Sequence, residues 1–272
     1  MFVRVCLHHH TRWSKLMQLA EERRRLIVAA VDSDGKVLAA ELAQRFQTSE
    51  DTIRRDLRDL DLAGKLRRVH GGAIRRAGGE AAFDQRESTD LPRKALLAHA
   101  ARALLRAGDT VLIDAGSTNL ALARQLDDGC AATIVTNSPH IALALGEFRR
   151  TRVILLGGTY SAQCGAVLGA RTLADIEQLR PDLCIVGLCG LDSQRLGASD
   201  GEEAILKRAM LTVSARRAAV VVNGRFGAPA PFLLGTPAEL DHLVLEADVP
   251  ADQVAALRDL AGGPELIFAE KP

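Results

Sequence analysis

Residues 48–73 read TSEDTIRRDLRDLDLAGKLRRVHGGA, and the order of residue types along them decides the fold of the N-terminal part. Ile53, Leu57 and Leu60 fall at i, i+4 and i+7, which predicts a helix with a single apolar stripe. At about 100° per residue, Asp51, Arg55 and Arg58 point away from that stripe, and Thr52 and Arg54 lie on its flanks. Ser49 stands at the N-cap, its hydroxyl placed to accept from an amide two or three residues on. Gly64 is placed to end the helix as its C′ residue. Beyond it, KLRRVHGGAIRR alternates apolar and basic residues around Gly71-Gly72. Two short strands about a glycine turn make a hairpin, with Arg67, Arg68 and His70 near its tip.

Working upstream, AAELAQRF (39–46) places Leu42, Ala43 and Phe46 on a short amphipathic helix, and Gln47-Thr48-Ser49 makes a tight turn. AEERRRLIVAAV (20–31) carries Leu26, Ile27 and Val31 on one side and ends at DSDG, 32–35. Helix, helix, turn, capped basic helix and basic hairpin together predict a winged helix-turn-helix. Guanidinium forks match two acceptors on a guanine edge, and Ser or Thr hydroxyls suit phosphate. The third helix also reads as a solvated surface laced by Asp51–Arg55 and Arg55–Asp59 pairs. The basic hairpin that follows it favours the DNA reading.

Charge supports a two-part chain. Residues 1–76 carry 16 Lys+Arg against 10 Asp+Glu, and the remainder carries 19 against 24. A basic head on an acidic body suits a nucleic-acid binder with a regulatory part. The composition, 47% hydrophobic and 25% charged, is that of a globular protein. No apolar run reaches the roughly 18 residues of a membrane span. The opening MFVRVCLHHHTRWSKLM lacks the apolar core of a secretory signal. Residues 1–16 read as a disordered lead-in with Met17 as the start, and His8–His10 as neither a tag nor a metal site. Five cysteines, an odd number without a C-x-x-C pair, speak against zinc or a disulfide framework and for the cytoplasm.

Residues 77–92, AGGEAAFDQRESTDLP, read as a linker in which Phe83 is placed to dock on a flanking domain. The domains expected are therefore 17–76 and 93–272. Past Pro92 the apolar runs TVLIDAG (110–116), TIVTNS (133–138), RVILLGG (152–158), DLCIVGLCG (182–190), AAVVVNG (218–224) and HLVLEAD (242–248) alternate with helical patterns. Strands buried on both faces and separated by helices predict a doubly wound, mostly parallel α/β sheet.

Asp114, Gly116, Ser117 and Thr118 follow the first of these strands and open a helix, either as a phosphate seat or as an ordinary cap. Thr136, Asn137 and Ser138 repeat the arrangement after the second, and Gly157 and Gly158 end the third. Loops at the carboxyl ends of parallel strands are where ligands bind in such sheets. None matches G-x-G-x-x-G or a Walker loop, which disfavours dinucleotides and nucleoside triphosphates. Asp200, Glu203 and Lys207 gather near a helix start, as ligand groups or as caps complementing its dipole. Arg225 reads equally as a phosphate ligand or a surface residue.

The 48–73 stretch resembles the signature of the DeoR family of bacterial transcriptional regulators, close to V-S-x-x-T-I-R-R-D-L-x-x-L-x-x-x-G-x-L-x-R-x-H-G-G-A. Thr48 replaces the usual Val. The resemblance implies that Ser49, Thr52, Arg54 and Arg55 contact DNA, with Arg68 and His70 of the wing in support. It extends over about 83–270, implying an effector domain with a fold like ribose-5-phosphate isomerase and a sugar phosphate or similar phosphorylated effector. The D-x-G-T-T loop is matched by Asp114, Gly116, Ser117 and Thr118, T-N-S by residues 136–138, G-x-D by Gly190 and Asp192, and E-x-x-x-K by Glu203 and Lys207. A later D-x-x-K reads Asn223-Gly224-Arg225-Phe226, which removes a carboxylate and changes the cation's fork. The implied function is repression of a carbohydrate or related catabolic operon by a homo-oligomer, dimer or tetramer, without catalysis, cofactor, metal or membrane. A sugar-phosphate isomerase-like enzyme is the alternative, with Asp114, Asp200 or Glu203 as base.

Overall fold

The computed structural model describes residues 20–31, 36–62, 65–69, 71–74 and 81–270. The expectations for residues 1–17, Gly64 and His70 lie outside the described residues, as does the side chain of Arg67. The chain divides into two compact units, residues 1–79 and 80–272.

In the first unit α1 spans 20–31, followed by β1 (Lys36–Leu38), α2 (Ala39–Arg45), α3 (Glu50–Leu62), β2 (Arg67–Val69) and β3 (Gly72–Ile74). Ile27, Val31, Leu42, Ile53, Leu57 and Leu60 form its core. Leu26, expected on the buried side of α1, is 42% exposed, because the helix turns about 100° between it and Ile27. β2 and β3 pair antiparallel as the expected hairpin, Arg68 opposite Ala73. The sequence reading missed β1, which adds to β3 and completes the order β1-β3-β2. Gly72 is required there, since a Cβ would strike the carbonyl oxygen of Val37.

The second unit carries α4 (Phe83–Glu87), α5 (Leu91–Ala101), β4 (Thr110–Ile113), α6 (Ser117–Ala123), β5 (Thr133–Thr136), α7 (Pro139–Ala144) and β6 (Arg152–Leu155). A hairpin of β7 (Thr159–Ser161) and β8 (Ala166–Leu168) follows, then α8 (Ala170–Glu177) and β9 (Leu183–Val186). After these come β10 (Gly190–Leu191), β11 (Leu196–Ala198), α9 (Gly201–Val213), β12 (Arg216–Val221), β13 (Phe232–Gly235), β14 (His242–Glu246), α10 (Ala251–Arg258) and β15 (Glu265–Ala269). All six expected strands are present. The 77–92 linker reading gives way where α4 and α5 begin. Phe83 is fully buried, its ring against Gly165, and Pro92 sits in the first turn of α5, where a missing N–H costs nothing.

The main sheet is parallel at every pairing, with order β15-β14-β12-β9-β4-β5-β6. Alternate residues serve two cores. Val111, Ile113, Ile134 and Ile185 pack with α5, α6 and α7, whereas Leu112, Val135, Cys184 and Val186 pack with α8 and α9. The sequence proceeds outward from β4 in one direction to β6, then jumps to β9 on its other side and proceeds to β15. β4 and β9 therefore flank the topological switch point, where adjoining loops diverge and leave a crevice.

Candidate functional site

Two sites follow from the two units. In the first, Ser49 Oγ accepts from the Thr52 amide at 3.2 Å and meets Thr52 Oγ1 at 2.9 Å, so both hydroxyls are tied to the start of α3. Arg54 and Arg55 are exposed, with side chains 58% and 72% accessible, and Arg58 and Arg68 are exposed as well. The restraint on Arg54 and Arg55 is local. Arg54 reaches Glu50 at 2.7 Å and Arg55 reaches Asp51 at 2.9 Å, each one turn back. The Arg55–Asp59 pair of the solvated-helix reading does not form, and Asp59 pairs with Arg24 at 2.6 Å. Exposed pairs at this spacing are worth about 0.3–0.5 kcal/mol, while a bidentate guanine contact is worth about 1–3 kcal/mol. Pairs this weak leave both guanidinium groups available to a stronger acceptor.

Asp56 was missed. It is buried on the apolar side of α3 and accepts from Arg23 at 2.6 Å and Arg24 at 2.9 Å. The signal was an acidic residue three after Ile53, opposite the Arg23–Arg25 run. These bonds lock α3 to α1 and leave the face bearing Arg54, Arg55 and Arg58 outward.

In the second unit a shallow cleft, open to solvent, lies at the switch point. The loop after β4 (Ala115 to Asn119) and the loop after β9 (Gly187 to Cys189) form its floor, with Glu203, Lys207, Arg86 and Arg225 around it. Gly116 has φ +146, a conformation side chains rarely adopt, and the amides of Ser117, Thr118 and Asn119 precede the first α6 bond, from Leu120 N to Gly116 O. Gly187 must lack a side chain, because a Cβ there would stand 2.9 Å from the Ala115 carbonyl oxygen.

Lys207 is 2% exposed and is held between two carboxylates, Asp114 and Glu203, the latter at 3.1 Å. Burial alone would pull its ammonium pKa down. The charges of Asp114 and then Glu203 outweigh burial and hold it above its ordinary value. Asp114 also accepts from the Gly187 amide at 2.9 Å, so one carboxylate bridges the β4 end, the β9 loop and α9. Arg225 donates to the Cys189 carbonyl at 3.4 Å.

Of the residues expected at an effector site, Gly116, Ser117, Thr118, Glu203, Lys207 and Arg225 line the cleft. Asp114 lies behind it as the partner of Lys207. The others hold neighbouring backbone. Asn137 Oδ1 accepts from Ala115 N at 2.9 Å, Thr136 Oγ1 accepts from Ser138 N at 3.1 Å, and Ser138 caps α7. Gly157 accepts from Thr172 Oγ1 at 2.8 Å, and Gly158 leaves no room for a Cβ beside Thr172 and Leu168. Asp200 caps α9 through the amides of Glu202 and Glu203. Asp192 closes a turn to Gln194 and Arg195. Sequence reasoning missed Arg86 and Cys189, which tertiary packing brings to the cleft, and Asn119, which follows Thr118 and donates to the Asp114 and Ile185 carbonyls.

Both units match one family. Residues 23–77 match the DeoR-like helix-turn-helix domain and residues 90–247 the DeoR C terminal sensor domain. The glycerol-3-phosphate regulon repressor of Escherichia coli (strain K12) is 32% identical over 240 residues, 88% of this chain and 95% of its own length. This chain belongs to the DeoR family of transcriptional regulators. A second DeoR-type relative, the HTH-type transcriptional regulator GlpR of Haloferax volcanii, is 31% identical over 236 residues, 86% of this chain and 92% of its own. Among solved structures, ribose 5-phosphate isomerase A from Neisseria gonorrhoeae covers 51% of this chain and 55% of its own at TM-score 0.38 and 12% identity. The DeoR family is one of DNA-binding regulators, not enzymes, and the isomerase alternative falls away. Among the described residues no helix is long and apolar enough to cross a membrane.

One further cation of this DeoR sensor unit behaves distinctively. Lys94 is buried beneath the α4–α5 turn, donating to the carbonyls of Arg86 and, at 2.8 Å, Thr89. Burial lowers its pKa from 10.5 to about 8, with Arg225 and Arg86 adding to the fall and Asp90 and Glu87 opposing it. Between those values the folded chain holds fewer protons here than the unfolded chain, so Lys94 makes stability rise with pH from about 8 to 10.5. Lys94→Met is expected to remove that rise, up to about 3 kcal/mol. Urea melts of both proteins across the window check it; a wild-type-minus-variant difference flat in pH contradicts it.

Proposed function

We propose that this regulator is a repressor whose α3 and β2–β3 wing bind operator DNA and whose switch-point cleft takes a phosphorylated small molecule that sets operator affinity. The observation that carries the effector reading is the convergence of Arg86, Lys207 and Arg225 with the hydroxyls of Ser117 and Thr118 on one cleft. Guanidinium forks and an ammonium give charge-assisted bonds to phosphoryl oxygens, and exposed amides and hydroxyls complete the shell. The relative's name, glycerol-3-phosphate regulon repressor, supports a polyol or sugar phosphate as the ligand class. Ser49, Thr52, Arg54, Arg55 and Arg58 of α3, with Arg67, Arg68 and His70 of the wing, are the DNA-contacting set.

A single head of this size has modest affinity, so the working form is a homo-oligomer in the cytoplasm, with two heads matched to two half-sites. The effector binds one arrangement of the copies better than another and shifts the population between them. Thermal denaturation against glycerol phosphate, several sugar phosphates and their unphosphorylated parents tests the ligand class. A ligand at about 100 times its Kd adds roughly 2.7 kcal/mol to stability, a rise of several degrees. At least one phosphate ester is expected to give that rise while its parent gives none; equal effects of parent and ester would remove the phosphate reading.

A further inference from the structure

α4 opens the second unit in the chain, directly after the boundary that closes the DNA-binding unit at residue 79. It is a five-residue helix, too short to hold itself, and its place is set by four attachments to the body. The Phe83 ring is buried against Gly165, and the Phe83 amide donates to the Gln163 carbonyl at 3.1 Å. Glu87 meets Arg124, at the end of α6, at 2.5 Å. Lys94 clamps the carbonyl ends at Arg86 and Thr89. Arg86 is the fourth. Its Nε donates to the Ala81 carbonyl at 2.9 Å and its Nη2 to the Cys164 carbonyl at 3.2 Å, and its guanidinium lies 5.7 Å from the Phe83 ring centre.

Arg86 thus belongs to two structures at once. The same guanidinium that ties the start of α4 to the β7–β8 turn lines the cleft with Lys207 and Arg225. Neither of those two cations is on an element adjoining the first unit in sequence. We propose that Arg86 is the sensing residue of this regulator: an anion in the cleft recruits its guanidinium and so resets the seating of α4, the element through which the chain continues from the DNA-binding unit. The proposal rests on the cleft being the effector site and adds to it the residue that transmits occupancy. Its chemistry is simple. The Ala81 and Cys164 carbonyls are among the acceptors of Arg86, and a phosphoryl group offers an acceptor roughly twice as strong as either, in two-pronged geometry. Lys207 lines the cleft but does not transmit, because Asp114 and Glu203 fix its ammonium to the body.

The test uses the full chain, with glycerol 3-phosphate, fructose 6-phosphate and inorganic phosphate as probes of the shared phosphoryl group. Hydrogen exchange is followed separately in peptides covering 83–90 and 115–119, beside the melting temperature. In the wild type, a probe that raises the melting temperature is expected to change exchange by about tenfold in both peptides. In Arg86→Ala the same probe still protects 115–119, at reduced affinity, because Lys207 and Arg225 remain, while 83–90 no longer responds. Arg86→Lys keeps the charge and loses the fork, and shows the same separation if the alanine variant does not fold. A wild-type response of 83–90 in either variant overturns the proposal, as does an occupied wild-type cleft that leaves 83–90 unchanged. Absence of any protection at 115–119 with all three probes instead removes the cleft reading itself, and the role of Arg86 with it.

Discussion

Replacing both Arg54 and Arg55 with alanine is expected to weaken specific operator binding by about 100-fold or more while leaving the fold intact. The size follows from what each guanidinium does in the two states. Free in solution, Arg54 and Arg55 are mostly exposed and hold only Glu50 and Asp51, one helical turn away. Losing both pairs costs the first unit under about 1 kcal/mol. Against a duplex each fork is worth about 1–3 kcal/mol, or about tenfold per 1.4 kcal/mol. The check is fluorescence anisotropy on a duplex obtained by repeated rounds of selection with the wild-type protein, at one stated salt concentration. Thermal unfolding of the variant should match the wild type to within a few degrees. Unchanged operator affinity in a folded double variant would move the reading surface away from α3.

Lys207→Met is expected to be among the most destabilising single substitutions in the second unit, by about 3–5 kcal/mol at neutral pH. The buried ammonium stands between Asp114, 2% exposed, and Glu203, 10% exposed. Removing it leaves two carboxylates facing one another without the cation that justified their burial. The sign with pH is set by the raised pKa of Lys207 in the folded state. Its stabilising contribution is complete below the unfolded lysine value of 10.5 and fades only as pH rises through the higher folded value. In the variant the deficit should shrink in acid, where the orphaned carboxyls take up protons. Adding Asp114→Asn should recover part of the loss, because it removes one of the stranded charges. Urea unfolding of the three proteins at neutral and mildly acidic pH measures all of this. A deficit below about 1 kcal/mol, or one independent of pH and of Asp114→Asn, would contradict the coupling.

How much of this was legible in the sequence depends on how local the cause is. The six strands of Val, Ile and Leu were plain because burial on both faces, complete in all but the edge strand β6, writes a continuous apolar run into the chain. β1, β11 and β13 have three or four residues and pair across long gaps, such as Leu196 with Gly235, and β10 has only two residues, so no period betrays them. α4 looked like linker because its composition is small and polar, and only Phe83 hinted otherwise. The Gly165 that receives its ring is eighty-two positions away in sequence.

The site divides in the same way. The Gly116–Thr118 loop and the Glu203–Lys207 spacing were readable, one as a strand-to-helix turn and the other as neighbours on a helix face. Thr136–Ser138 has nearly the same chemistry as Ser117–Thr118 and turns inward instead, because β5 lies one strand beyond the switch point, where no crevice opens. Local pattern cannot distinguish those two loops, whereas strand order can. Arg86 was invisible for the same reason, and Asp56 showed only as an acidic residue on an apolar face, since each takes its meaning from a partner on another element.

The most direct measurement is the affinity of the full chain for its selected operator duplex, with and without the phosphate ester that most raises its melting temperature. The expected result is a change of at least about tenfold, a coupling near 1.4 kcal/mol, with no change on adding the unphosphorylated parent. An ester that binds tightly enough to stabilise the protein, yet leaves operator affinity the same at every concentration, would contradict control of the DNA-binding unit by the cleft.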